Sequence, residues 1–182
     1  LPFILNETVE LFKNDNEGKY LTENNEDFLK ETGLLKTYKH NDKFLRPSMV
    51  SKCKYDLISG SENTKTPLRY EMNYRNYYLV TQGEITIKLI PPQYTKYLYA
   101  EKNYLNFEFS SPLNVWNIHS QPKYKNNFDK VKSLEIVVKE GQIIYIPAYW
   151  WFSIKFNKIS SISSFYYRTY MNTMAITPHI FI

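Results

Sequence analysis

The sequence is short of the residues that make disulfides and metal sites. Of 182 residues one is cysteine, Cys53, and three are histidine. A single cysteine excludes an internal disulfide and suits a reducing compartment, so an intracellular location is expected. His40, His119 and His179 are scattered along the chain, and none stands at metal-ligand spacing from a second ligand. Long apolar runs are also missing, and nothing approaches the roughly 20 residues a membrane-spanning helix needs. The apolar opening, residues 1–5, turns acidic by Glu7 and does not read as a secretory signal. Beginning with Leu rather than Met, the chain is expected to be a trimmed piece of something longer. There is no internal repeat and no low-complexity tract. The net charge of +5 comes mostly from Lys dispersed among polar residues, the pattern of a solvated surface, so nucleic acid is not an expected partner.

What is present points to one mainly β domain. Hydrophobic residues make up 43% of the chain, enough for one substantial core. Residues 1–50 read as helical and irregular, packed on a barrel made by residues 51–182. Apolar spacing predicts helix over residues 8–13 and 26–35, with Gly33 near the end of the second, where helices commonly stop. From about Lys54 the pattern becomes that of strands. Residues 55–58, 77–81, 84–90, 134–139, 142–146, 150–156 and 162–167 are strand candidates. Gln82-Gly83 is a turn signal between two of them. Ile85, Ile87 and Leu89 alternate with Glu84, Thr86 and Lys88, giving one buried and one polar face. Residues 93–132 show little regular pattern. Their aromatics (Tyr94, Tyr97, Tyr99, Tyr104, Phe107 and Phe109) are expected to close the barrel mouth or meet a partner. Cys53 is expected to be buried.

Two stretches are more specific. Residues 141–154, from Gly141-Gln142 through Ile146-Pro147 and Trp150-Trp151 to Phe152, resemble a pattern of Gly-Asp, apolar strand, Ile-Pro, two variable residues, Trp, then His. Residues 56–92 carry a strand, Gly60, Thr66-Pro67, a motif site, Asn76, a strand, Gly83, another strand and Pro91-Pro92. The chain thus resembles the Jumonji-C and cupin-like branch of the 2-oxoglutarate oxygenases, nearest the asparaginyl hydroxylases, over roughly residues 55–170. The resemblance implies a double-stranded β-helix, or jelly roll, preceded by helices. A composition rich in Lys, Asn, Ile and Tyr agrees with cupin-like proteins of large DNA viruses.

Active relatives, the resemblance further implies, bind Fe(II) through His-x-Asp/Glu on one strand and a second His on a later one, leaving positions for 2-oxoglutarate and oxygen. Here the later His falls on Phe152. Counting forward from Thr66-Pro67 puts the first pair at Arg69 and Glu71; counting back from Asn76 puts it at Tyr70 and Met72. A one-residue slip reverses which side chains face inward, so the two registers predict different linings. Thr66, Asn76 and Ile85 fall at cosubstrate positions, with Ile85 replacing the usual Lys. No cofactor is therefore expected, and no catalytic residue is assigned. The leading expectation is a non-catalytic module for binding or structural assembly, with a protein partner or its own copies. Two alternatives stand beside it. One is an Fe(II)/2-oxoglutarate-dependent oxygenase acting on protein or nucleic acid. The other is a metal-free binder using the old pocket, with Arg69 or Lys88 facing an anion.

Overall fold

A computed structural model describes residues 5–15, 17–104 and 107–180, with side chains from 7 to 177 within those ranges. Residues 1–4, most of the apolar opening, lie outside it. Three helices, α1 (Leu5–Lys13), α2 (Glu26–Glu31) and α3 (Leu35–Leu45), come first, with a short strand β1 (Leu21–Thr22) between α1 and α2. Then follow β2 (Val50–Gly60), β3 (Leu68–Tyr70), β4 (Arg75–Gln82) and β5 (Glu84–Ile90). The stretch read as irregular holds β6 (Glu101–Asn103), β7 (Glu108–Ser111) and α4 (Pro122–Phe128). The chain continues through β8 (Leu134–Lys139), β9 (Ile143–Pro147), β10 (Trp151–Phe156), β11 (Ser160–Thr169) and α5 (Tyr170–Ile180).

The strands form two sheets, β1-β2-β11-β4-β9 and β6-β7-β3-β10-β5-β8, with every strand pairing antiparallel. Setting aside β1, β6 and β7, successive strands alternate between the sheets, apart from the hairpin step from β5 to β8. This is the jelly-roll order, and the chain is mainly β with flanking helices.

Strand alternation sorts the side chains into three packed regions. Ile58, Tyr78, Val80, Ile85, Ile87, Leu89, Phe152, Ile154, Phe156 and Ile162 meet between the sheets. On the outer face of the first sheet, Tyr55, Phe165 and Tyr167 pack under Leu29 of α2 and Tyr38 of α3. On the outer face of the second, Leu68, Tyr70, Met72, Ile90 and Trp151 pack under residues from 94–131 and Ile176 of α5. The aromatics of the long segment therefore mainly cover a sheet rather than plug the mouth. Where the sequence pattern breaks down there, period-two alternation is replaced by contacts from turns and short elements.

The turn at Gly83 depends on the absence of a side chain. Its φ is +82°, and an added Cβ would collide with the Ser160 side chain and the Ile159 carbonyl. That close approach brings the β4–β5 hairpin against the start of β11.

Candidate functional site

The inward side chains change character along the strands. On β2 the inward series runs Ile58, Asp56, Lys54, Lys52; on β11 it runs Ile162, Ser164, Tyr166, Arg168; on β4 it runs Val80, Tyr78, Asn76. Register places Asp56, Ser164 and Tyr78 in one row and Lys54, Tyr166 and Asn76 in the next. One end of the barrel is thus apolar and the other polar. The polar end opens into a cavity of about 430 Å³ whose lining includes Glu23, Lys54, Arg69, Glu71, Tyr166 and Arg168.

Arg69 and Phe152 are direct cross-strand partners of β3 and β10. Partner residues of an antiparallel pair project to the same face, and the Arg69 guanidinium carbon lies 5.7 Å from the Phe152 ring centre. Its Nη1 pairs with the Glu23 carboxylate at 2.7 Å, while its Nε is buried without a partner. Burial opposes the guanidinium's charge, but the Glu23 carboxylate leads the charges that outweigh it and hold its pKa above the ordinary range. Glu71 stands beside this pair and accepts a hydrogen bond from Asn73 Nδ2 at 3.2 Å. Burial pushes its carboxyl pKa up, against the lowering pull of Arg69, Lys54 and Arg168. Burial lowers the Arg168 pKa, with Glu71 acting in the other direction. Arg168 also lies 4.6 Å over the Phe107 ring and donates from Nε to Asn73 Oδ1 at 3.3 Å.

Behind this lining the wall is polar and incompletely paired. The Tyr78 hydroxyl, Ser164 Oγ and Asn76 Oδ1 are buried without a partner, although buried polar groups are normally hydrogen-bonded. Burial drives the Tyr78 and Tyr166 hydroxyl pKa values upward, so both are neutral phenols across the physiological range.

Arg69 and Glu71 face the interior. Tyr70 and Met72 belong to the outer cluster, where Tyr70 stacks on Phe109 with ring centres 4.8 Å apart. The forward count from Thr66-Pro67 thus describes the lining, and the backward count from Asn76 describes the outer face. Thr66 accepts from Ile154 N through Oγ1 at 2.9 Å and from Ser153 Oγ through its carbonyl at 2.6 Å. It ties the loop before β3 to β10. Asn76 donates to the Ile146 carbonyl at 3.2 Å. Ile85 is fully buried in the apolar end and brings no charge to the interior.

The expectation that Lys88 faces an anion in the pocket needs correction. Lys88 alternates outward from Ile87 and Leu89, lies 4.8 Å over Trp116, and pairs with Glu135 at 2.8 Å and the Val115 carbonyl at 3.0 Å. Cys53, expected buried, is partly exposed on the outer face, 3.2 Å from Arg46 Nη2. His40 and His119 are exposed on α3 and a turn at Ile118–Ser120, and the side chain of His179 lies outside the described ones.

The cavity also contains residues that sequence reading missed. Lys52 and Lys54 on β2, and Arg168 on β11, continue the period-two alternation of Ile58 and of Ile162, so extending each strand toward the mouth would have found them. Glu23 lies after β1 and carries no such signal.

The Fe(II) that the resemblance implies does not fit these residues. Its expected donors would be two imidazoles and a carboxylate. The interior positions to which the resemblance assigns them, on the count from Thr66-Pro67, hold a guanidinium, a carboxylate and a phenyl ring. A fixed cation repels a divalent metal, and the ring offers no lone pair. Among the described residues no group of three His, Cys, Asp or Glu side chains could hold a metal ion. Nor is any described helix long and apolar enough to cross a membrane.

The sequence model of the cupin-like domain family matches residues 5–173. Over 98 residues, 53% of this chain, the sequence is 33% identical to JmjC domain-containing protein D of Dictyostelium discoideum. The match spans 21% of that relative's length. A cupin superfamily protein from Desulfitobacterium hafniense overlaps at a TM-score of 0.39 and 10% identity, over 66% of this chain and 72% of that one.

Proposed function

The chain belongs to the cupin-like domain family, and from that premise we propose that it is a metal-free, non-catalytic binding module. One observation carries this reading: Arg69, Glu71 and Phe152, at the positions where the resemblance puts the iron ligands, share one interior face and make contacts of their own. The guanidinium pairs with Glu23 and lies over the phenyl ring, so the interior is organised around a fixed positive charge. The Ile85 position adds no cation for the far carboxylate of 2-oxoglutarate. On this reading the fold is retained to bind, and its role is recognition or assembly with a protein partner or further copies of itself. A shared fold does not carry a shared reaction.

The test is metal content of the purified protein together with its melting temperature in Fe(II) or Mn(II), with and without 2-oxoglutarate. A ligand that binds only the native state raises the melting temperature once its concentration well exceeds its dissociation constant. The expected result is no stoichiometric metal and no shift that requires metal and cosubstrate together. Stoichiometric Fe(II) with a cosubstrate-dependent shift overturns the proposal and restores an oxygenase reading.

A further inference from the structure

We infer that the mouth of the cavity is a site for a small oxyanion, a phosphate or carboxylate group, and that the Glu23 carboxylate is an intramolecular occupant of that site. The inference rests on the metal-free reading above.

The charge balance at the mouth is the first reason. Lys52, Lys54 and Arg168 line the cavity, and among the described residues none has a carboxylate within ion-pairing distance. Lys54 Nζ donates to the neutral Asn24 side chain at 2.8 Å, and the Arg168 side chain meets the Asn73 amide and the Phe107 ring. Arg69 adds a fourth cation. Against these four cations stand three carboxylates that also line the cavity, Glu71, Glu108 and the Glu23 already engaged by Arg69. Cations gathered in a concave, partly desolvated site attract an anion more strongly than the same charges spread over a surface.

Arg69 supplies the second reason. A guanidinium presents five N–H donors in a planar fork suited to carboxylate and phosphate. Here Glu23 occupies Nη1, and Nε is left buried and unpartnered. An oxygen anion therefore already sits where a ligand's would, while donor capacity remains.

Third, Glu23 is aimed by its backbone. The Asp56 carboxylate accepts from Asn24 N at 2.8 Å and Asn25 N at 2.6 Å, and Asn24 takes a left-handed φ of 62°. These contacts hold the strap across the mouth independently of the Glu23 side chain, which is 28% exposed. A more highly charged oxyanion can replace that carboxylate at Arg69 without unfolding the strap. A cavity of about 430 Å³ lies within the size range of small-ligand sites.

The experiment is calorimetric titration of the EDTA-treated protein with inorganic phosphate and, separately, malonate, at constant ionic strength with chloride as the balancing anion. Glu23→Gln is expected to bind about tenfold more tightly than wild type, equivalent to about 1.4 kcal/mol. Lys54→Ala and Arg168→Ala are expected to bind about tenfold more weakly, with Arg168→Lys recovering part of the loss. Lys88→Ala, on the outer face, is expected to bind as wild type. Preference for phosphate or malonate identifies the kind of oxyanion. Melting curves confirm that each variant is folded. Absence of saturable binding by Glu23→Gln overturns the inference, as does binding indifferent to both Lys54 and Arg168. Anion binding that appears only after Fe(II) or Mn(II) is added instead overturns the metal-free reading. If neither metal nor anion binds, the inference alone falls.

Discussion

Arg69 and Phe152 face each other across β3 and β10, with the guanidinium carbon 5.7 Å from the phenyl centre. Each stands where the family resemblance expects an iron-ligating imidazole. Their contact makes the two replacements complementary, since the positive charge lies against the negative face of the ring. Changing Phe152→His alone therefore leaves a cation at the partner position. The expected outcome is a folded protein that binds no stoichiometric Fe(II) by metal analysis. Stoichiometric binding would mean that Glu71 and an unassigned ligand were already in place.

Phe152 also fills space, being fully buried between the sheets beside Tyr78, with ring centres 5.5 Å apart. Phe152→Ala is expected to lower unfolding stability by about 3–5 kcal/mol, the usual range for removing a buried phenyl ring. Urea denaturation measures this directly. A loss below about 1 kcal/mol would show that the interior collapses around the gap.

Glu71 makes stability depend on pH. Its folded pKa lies above its unfolded value because burial disfavours the charged form. The unfolded chain therefore releases this proton first. Stability from the group is full below the unfolded carboxylate pKa and is lost as pH rises through the folded one. Glu71→Gln retains an acceptor for Asn73 and removes the ionisation. It is expected to be more stable than wild type at neutral pH, with the difference vanishing in acid. Denaturation of both proteins across a pH series tests this, and a difference that grew toward acid would contradict it.

Thr66 stands at a cosubstrate position, yet its hydroxyl accepts the Ile154 amide inside the fold at 2.9 Å. Thr66→Val keeps the shape and leaves that buried N–H short of an acceptor. The expected loss is about 1–3 kcal/mol of stability. An unchanged denaturation midpoint would show that the amide finds another partner.

Much of the architecture was legible without coordinates. Alternation over residues 84–90, the turn signal at Gly83 and the Ile-Pro-Trp stretch each report local constraints that a single strand or turn expresses in its own sequence. The site was legible only in part. Thr66-Pro67 and Asn76 gave opposite registers for residues 69–72, because in a two-residue period a slip of one exchanges the faces. Pairing of Phe152 with Arg69 on β10 and β3 decides between them. Lys88 is a different case: alternation had already set it opposite the buried face of Ile85, Ile87 and Leu89, and the structure places it there, over Trp116 and beside Glu135.

The sequence by itself determined a mainly β chain, because residue type and strand period are local properties, and its resemblance to a known family implied the jelly roll. Only the tertiary structure decided that Arg69 and Glu71 line the interior, that Lys54 and Arg168 converge on them, and that Glu23 crosses the mouth to pair with Arg69. Those relations join residues far apart along the chain, and they exist only once the two sheets pack and the N-terminal strap is held by Asp56.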